Sequence, residues 1–213
     1  MDKKKQTGRR KKALDLNKEI NKERLNAFTD AIAAIAATIM VLNLGVPNTN
    51  DWSGILSQVN VLFAYIVSYM FIYLVWYLHH NLFKDAKVIS VRAFLLNGLW
   101  LLFLTLVPFT TGWIGRAEGR SPAPRVIYAL NTLLWALSFW WLESRVQKDN
   151  PEMNLENRGR SLDRKILYGG LSISFVLSFI LRRGVVPMTG AITVIMIIRA
   201  LLESGKRKAE ETS

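Results

Sequence analysis

The chain has 213 residues, of which 51% are hydrophobic, with a mean hydropathy of +0.19 and a formal net charge of +12. That apolar content excludes an ordinary soluble domain of this size, and the absence of cysteine excludes disulfides and thiolate chemistry. In a soluble protein the positive charge would suggest nucleic acid, but its placement along this chain gives a different explanation, so no nucleic-acid partner is expected.

The first residues are charged and Asn-rich and lack the short apolar core and small-residue cleavage site of a secretory leader. We expect a basic cytoplasmic N-terminal segment at 1–23, solvated or touching anionic lipid. Six apolar blocks follow, at about 25–45, 57–82, 93–114, 124–143, 166–182 and 185–203, with no charge in the middle of any of them. A helix needs about 20 residues to cross the hydrocarbon core, so each block is read as one membrane helix. The expected fold class is all-α: six transmembrane helices over 24–204, followed by a C-terminal tail at 205–213.

Gly45 and Pro47 stop the first helix, and Trp52 suits an interfacial belt. The second helix ends in Trp76-Tyr77-Leu78-His79-His80. The third carries Asn97, Trp100 and Pro108 within its apolar run. The fourth runs from near Pro124 to Trp140-Trp141, and a charged connection covers 145–164. Arg182-Arg183-Gly184 leaves room only for a tight hairpin between the last two helices. With the N-terminus inside, 23 of the 28 Lys and Arg fall on one side, and only Arg116, Arg120, Arg125, Arg182 and Arg183 fall on the other. This positive-inside bias predicts a multi-pass cell-membrane protein with both termini in the cytoplasm.

Enzyme chemistry has little support. His79 and His80 are adjacent, not spaced as ligands on one helix face, and no paired carboxylates or phosphate loop appear. No cofactor or metal is expected. An ion-coupled transporter usually keeps an ionisable residue near the midplane, whereas every charge between Ala31 and Glu143 lies in a connecting segment.

The first helix is the most informative. At about 100° per residue, Ala31, Ile35, Thr38 and Leu42 share an arc of about 60°. Ala33, Ala34, Ala36 and Ala37 flank that stripe with small side chains, which let membrane helices approach closely. Periodicity alone leaves open a helix buried in a bundle. Thr38 is the lone hydroxyl deep in this run. It either contacts something polar or bonds back to its own helix. Thr29-Asp30 fits a helix start in which the dipole favours the acid. Alternatively, Arg24, Asp30 and one of His79 or His80 form a satisfied cluster, with Trp76 beside it.

The pattern Arg24-x-x-x-Phe28-Thr29-Asp30, then the small apolar run to Val41-Leu42-Asn43-Leu44, resembles the first-helix signature of the lysosomal potassium channel family, transmembrane protein 175, and its prokaryotic relatives. Thr29 stands for the usual serine, and Asn43 stands where many prokaryotic members carry an acid. Trp76-x-x-His79-His80-x-x-Phe83 and Leu106-Val107-Pro108-Phe109 resemble the ends of that family's second and third helices. The resemblance implies a homotetramer in the bilayer, conducting monovalent cations, chiefly potassium, through a pore lined by four copies of the first helix. Carried onto this chain, it implies a hydrophobic gate at Ile35 and Leu42 and a selectivity position at Thr38. A proton-conducting pore, a transporter and a non-conducting membrane protein remain as alternatives.

The run Thr110-Thr111-Gly112-Trp113-Ile114-Gly115 is similar to the carbonyl filter of ordinary potassium channels, but it has one residue too many and no pore helix before it. A helix stop with an interfacial Trp is expected there.

Overall fold

A computed structural model describes residues 21–117, 119–153 and 160–211. Helix accounts for almost all of them, and no strand occurs among the described residues. In chain order the helices are α1 (Lys22–Ile39), continued as a 3-10 turn over Met40–Leu44, then α2 (Trp52–Leu56), α3 (Val59–Asp85), α4 (Val91–Thr105) and α5 (Val107–Ala117). They are followed by α6 (Pro122–Asp149), α7 (Arg160–Arg164), a π turn over Lys165–Gly169, α8 (Gly170–Leu177) and α9 (Val185–Glu211).

Among the described residues, five stretches are long and apolar enough to cross a membrane: Lys22–Leu44, Val59–Asp85, Val91–Ala117, Pro122–Asp149 and Val185–Leu202. The block predicted at 166–182 is helical too, but it differs from a regular span. It begins with a π turn, and its last α-helix ends at Leu177. Hydrogen-bonded turns carry the chain on from there, with the Leu181 amide bonding to the Leu177 carbonyl at 2.8 Å, and the Arg125 guanidinium donates to the Ser178 carbonyl at 2.6 Å.

Local chemistry accounts for the other boundaries. Asn21 caps α1 by accepting from the Arg24 amide at 3.0 Å. Gly45 adopts φ 63°, a left-handed conformation that ends the 3-10 turn. Asp51 caps the short α2, which lies between the first two apolar blocks. Hydrogen bonds from the Ser53 and Thr49 side chains hold its exposed carboxyl below the usual carboxylate value. The third span breaks at Leu106 because Pro108 has no amide to give Leu104, and the Leu106 amide bonds instead to Phe103 at 3.3 Å. α5 then runs through Thr110–Gly115 to Ala117, so the filter-like run is helix interior and not the predicted stop. α6 continues past Trp141 into the expected charged loop, where Arg145 pairs with Asp149 one turn on, at 2.7 Å. Residues 154–159 of that connection, and 1–20 of the N-terminal segment, lie outside the described residues.

α3, α4 and α6 meet around an aromatic centre. Phe71 lies edge-on to Trp135 at 4.9 Å, and Trp100 packs against Trp135 at 5.9 Å and Phe139 at 6.1 Å. At one end Asn150 ties the α3–α4 connection to α6. Its carbonyl accepts the Lys87 and Val88 amides at 2.8 Å each, and its amide donates to Val88 and Val146. Lys22 donates to the Ala86 carbonyl at 2.8 Å, so the start of α1 is fastened at the same end.

Candidate pore helix and its anchors

α1 has two different faces. Leu25, Thr29, Ala33, Ala36 and Met40 recur every three or four residues and are all buried within the single chain. The opposite face carries Ala31, Ile35, Thr38 and Leu42, all exposed, with Ile35 at 55% and Leu42 at 75%. The 3-10 turn alters the expected register. At three residues per turn, Leu42 swings roughly 60° from its position on a regular α-helix and lies on the order of 1.5 Å further along the axis. It still shares the exposed side with Ile35, and both line a cavity of about 430 Å³ with Ile39, Thr105, Pro108 and Phe109. A second cavity of about 330 Å³ flanks α1 on its other side, between Asp30, Ala34 and Ala37 and the α3 aromatics Tyr69, Tyr73 and Trp76.

Thr38 donates its hydroxyl proton to its own helix, with Ala34 O at 2.9 Å and Ile35 O at 3.0 Å. Of the two sequence alternatives, the structure shows the back-bond. The one proton is committed to the backbone, and the oxygen lone pairs on the exposed face remain acceptors. Such a group suits a cation and offers nothing to an anion.

The polar residues near the start of α1 fall into two sets. Thr29 is fully buried and accepts from Asn97 Nδ2 at 2.9 Å. Asn97 Oδ1 lies 2.8 Å from His79 Nε2. The His79 ring is stacked between Phe83 at 4.3 Å and Trp100 at 4.8 Å. This relay ties α1, α4 and α3 together. Asp30 points away from it, is exposed, and accepts from Trp76 Nε1 at 2.8 Å. His80 packs beside Trp76 at 5.8 Å. Arg24 and Phe28 are both exposed, Phe28 at 60%, and no ion pair joins Arg24 to Asp30 among the described residues. The structure thus brings Trp76 to Asp30 and Thr29 to His79, through an intermediary that sequence reasoning left unassigned. The signal for Asn97 was available: a lone amide within an apolar run needs a partner.

Asn43 anchors the far end of α1. Its side-chain amide donates to the Pro108 carbonyl at 2.7 Å, and its own carbonyl accepts from Arg116 at 3.0 Å. A Cβ on Gly112 would sit 2.6 Å from Asn43 Cγ, so only glycine leaves room for this contact. The carbonyl that Pro108 presents and the gap at Gly112 together seat Asn43 against α5.

Comparisons with known proteins converge. The family model described as endosomal/lysosomal potassium channel TMEM175 matches residues 24–108. A potassium channel of Chryseobacterium sp. strain P1-3 is 31% identical over 137 residues, covering 63% of this chain and 71% of that one. The human endosomal/lysosomal proton channel TMEM175 is 34% identical over 108 residues, which are 45% of this chain but only 21% of the human protein. In three dimensions, the crystal structure of a lysosomal potassium-selective channel TMEM175 homolog from Chamaesiphon minutus matches with a TM-score of 0.74 and 26% identity, covering 84% of this chain and 97% of that one. With the first-helix signature, the fold and more than two thirds of a bacterial relative in common, the chain belongs to the TMEM175 family of ion channels, as a prokaryotic member.

Proposed function

We propose that this protein is a potassium-permeable cation channel in which four copies of α1 surround a central pore. The observation that carries this is the division of α1 into a face buried in its own chain and an exposed face bearing Ile35, Thr38 and Leu42. The cavities on either side of that exposed face leave room for neighbouring subunits, and closed symmetric assemblies are the usual solution for identical chains. Four Ile35 side chains would form an apolar neck that gates by dewetting, with Leu42 a second ring beyond it. The Thr38 oxygens would form a ring of acceptors between them. No carbonyl filter is then required. Potassium gives up its water more readily than sodium, so a narrow neck followed by acceptor oxygens favours it.

In this proposal the protein sits in the cell membrane with both termini cytoplasmic, as the distribution of Lys and Arg supports. The chain has no cysteine, so a single cysteine placed at Ser213 or Asn50 reports its side by labelling with a membrane-impermeant thiol reagent.

Liposomes containing the purified protein test the main proposal. Potassium flux whose reversal potential follows the potassium gradient is expected, from a particle whose detergent-corrected mass equals about four chains. A monomer or dimer, or no flux across a range of voltage and pH, refutes it. Proton conduction is the second candidate, because the vertebrate relatives are named as proton channels. Dissipation of a pH gradient without potassium movement would select it.

A further inference from the structure

We infer a binding site for an anionic phospholipid at the end of the bundle where α5 finishes, α6 begins and the α8–α9 connection turns. A cavity of about 260 Å³ opens there. Arg125, Arg182 and Arg183 line one part of it, with the exposed amide of Asn60 beside them. Phe63, Ile114, Val186 and Pro187 line the rest. The site therefore has a cationic part and an apolar part in one concavity, which is the division between a lipid's phosphate and its first methylenes. Its volume is just below the usual range for ligand clefts, so it fits a headgroup phosphate and the start of a chain, not a whole lipid.

Three observations favour a phosphate over another anion or a purely apolar occupant. The first is the choice of cation. All five basic residues at this end, Arg116, Arg120, Arg125, Arg182 and Arg183, are arginine, whereas all 13 lysines belong to the other side. Arginine presents a planar fork of donors that matches phosphate oxygens two at a time, which lysine does not. The second is the charge balance. This end holds five arginines against two acids, Asp51 and Glu118, the latter outside the described residues. Three of the five, Arg125, Arg182 and Arg183, line this one cavity, on the side where the positive-inside bias disfavours cations. The third is positioning. Arg125 Nε donates to the Ser178 carbonyl at 2.6 Å, which holds the guanidinium at the cavity wall, and Arg182 is exposed with no partner among the described residues. Where the spans end, the exposed Phe179, Ile180 and Leu181 of the same turn mark an apolar boundary beside the charges.

Native mass spectrometry of the full-length protein, carrying added phosphatidylglycerol, phosphatidylcholine or water-soluble glycerol phosphate at matched concentration, provides the test. Phosphatidylglycerol should be retained about tenfold over phosphatidylcholine. Arg182→Gln should lower that retention about fivefold, the effect of one arginine near a membrane surface, and Arg182→Lys should restore only part of it. Arg182 has no described structural partner, so this variant should fold. Phe63→Ser should also lower phosphatidylglycerol retention, by removing apolar contact without touching charge. Equal retention of the two lipids, or unchanged retention in Arg182→Gln, overturns the site. Glycerol phosphate that displaces phosphatidylglycerol at equal concentration overturns the lipid assignment and leaves a free-phosphate site.

Discussion

The two faces of α1 carry residues of similar type but are used differently. The inner face places a hydroxyl, Thr29, and the apolar side chains of Leu25, Ala33, Ala36 and Met40 inside the chain, where all of them are buried. The outer face places a hydroxyl, Thr38, and the apolar side chains of Ile35 and Leu42 where the same chain leaves Ile35 and Leu42 more than half exposed. Burial consumes the first face in folding. The second face is free for work that only other copies, lipid or a permeant ion can complete. Substitutions should therefore separate: those on the inner face should move stability, and those on the outer face should move conduction with little change in stability.

The largest effect is expected at the centre of the inner face. Asn97→Leu keeps the approximate volume but strands His79 Nε2 and Thr29 Oγ1, both buried. Each stranded buried group costs about 1–3 kcal/mol. Thermal unfolding of the purified protein should show a loss on the order of 2–4 kcal/mol, while Thr29→Ser, which keeps the hydroxyl and deletes one buried methyl, should lose only about 1 kcal/mol. If Asn97→Leu melts at the wild-type temperature, the relay does not hold α1 and the contrast between the faces loses its energetic basis.

Next in size is the far anchor. Gly112→Ala places a methyl where Asn43 lies against α5 and forces that side chain out of its contact with the Pro108 carbonyl. Overpacking of this kind costs about 1–3 kcal/mol, and the lower end is expected because the 3-10 turn can shift. Asn43→Ala should remove the same hydrogen bond without the clash and cost less. The double variant, measured by thermal unfolding, should then be no worse than Asn43→Ala alone. A doubly additive loss would mean that Gly112 is needed for some other reason.

Much of this arrangement was legible in the sequence, for identifiable reasons. Apolar runs of membrane length are a strong signal, so the spans containing α1, α3, α6 and α9 follow from composition. The break at Leu106 and the early end of α8 were not, because both depend on tertiary detail: which carbonyl Pro108 leaves without an amide, and where Arg125 reaches across to Ser178. At α1, periodicity put Ile35, Thr38 and Leu42 on one face. It assumed a regular helix, however, and so misjudged the angle of Leu42 beyond the change to 3-10 geometry. Grouping Asp30 with a histidine rested on their shared end of the bundle. A helical wheel gives the direction of each residue on its own helix but not the rotation of the partner helix, and that rotation turned His79 toward Asn97 and Trp76 toward Asp30.

On the outer face, Ile35→Asn sharpens the contrast. Ile35 is 55% exposed in the single chain, so the change should alter monomer stability by less than about 0.5 kcal/mol. In the proposed tetramer it should hydrate the apolar ring, raise potassium conductance and weaken discrimination among cations. Single-channel recording in a planar bilayer is the measurement. An unchanged current would move the constriction to Leu42, with Leu42→Asn as the matching variant.

The smallest structural effect and the most specific functional one are expected at Thr38. Thr38→Val keeps the branched shape and replaces only the hydroxyl by a methyl. The carbonyls of Ala34 and Ile35 lose a second donor but keep their places in an intact helix, so unfolding should shift by less than about 0.5 kcal/mol. What disappears is the acceptor oxygen on the exposed face. If four such oxygens replace part of the water around a passing ion, reversal potentials in mixed potassium and sodium should move toward non-selective values while current persists. Thr38→Ser should retain most of the preference, because a serine hydroxyl can make the same back-bond and present the same lone pairs. If Thr38→Val keeps full selectivity, the hydroxyl serves only its own helix. Discrimination must then arise from the width of the neck at Ile35, and the outer face works through shape alone.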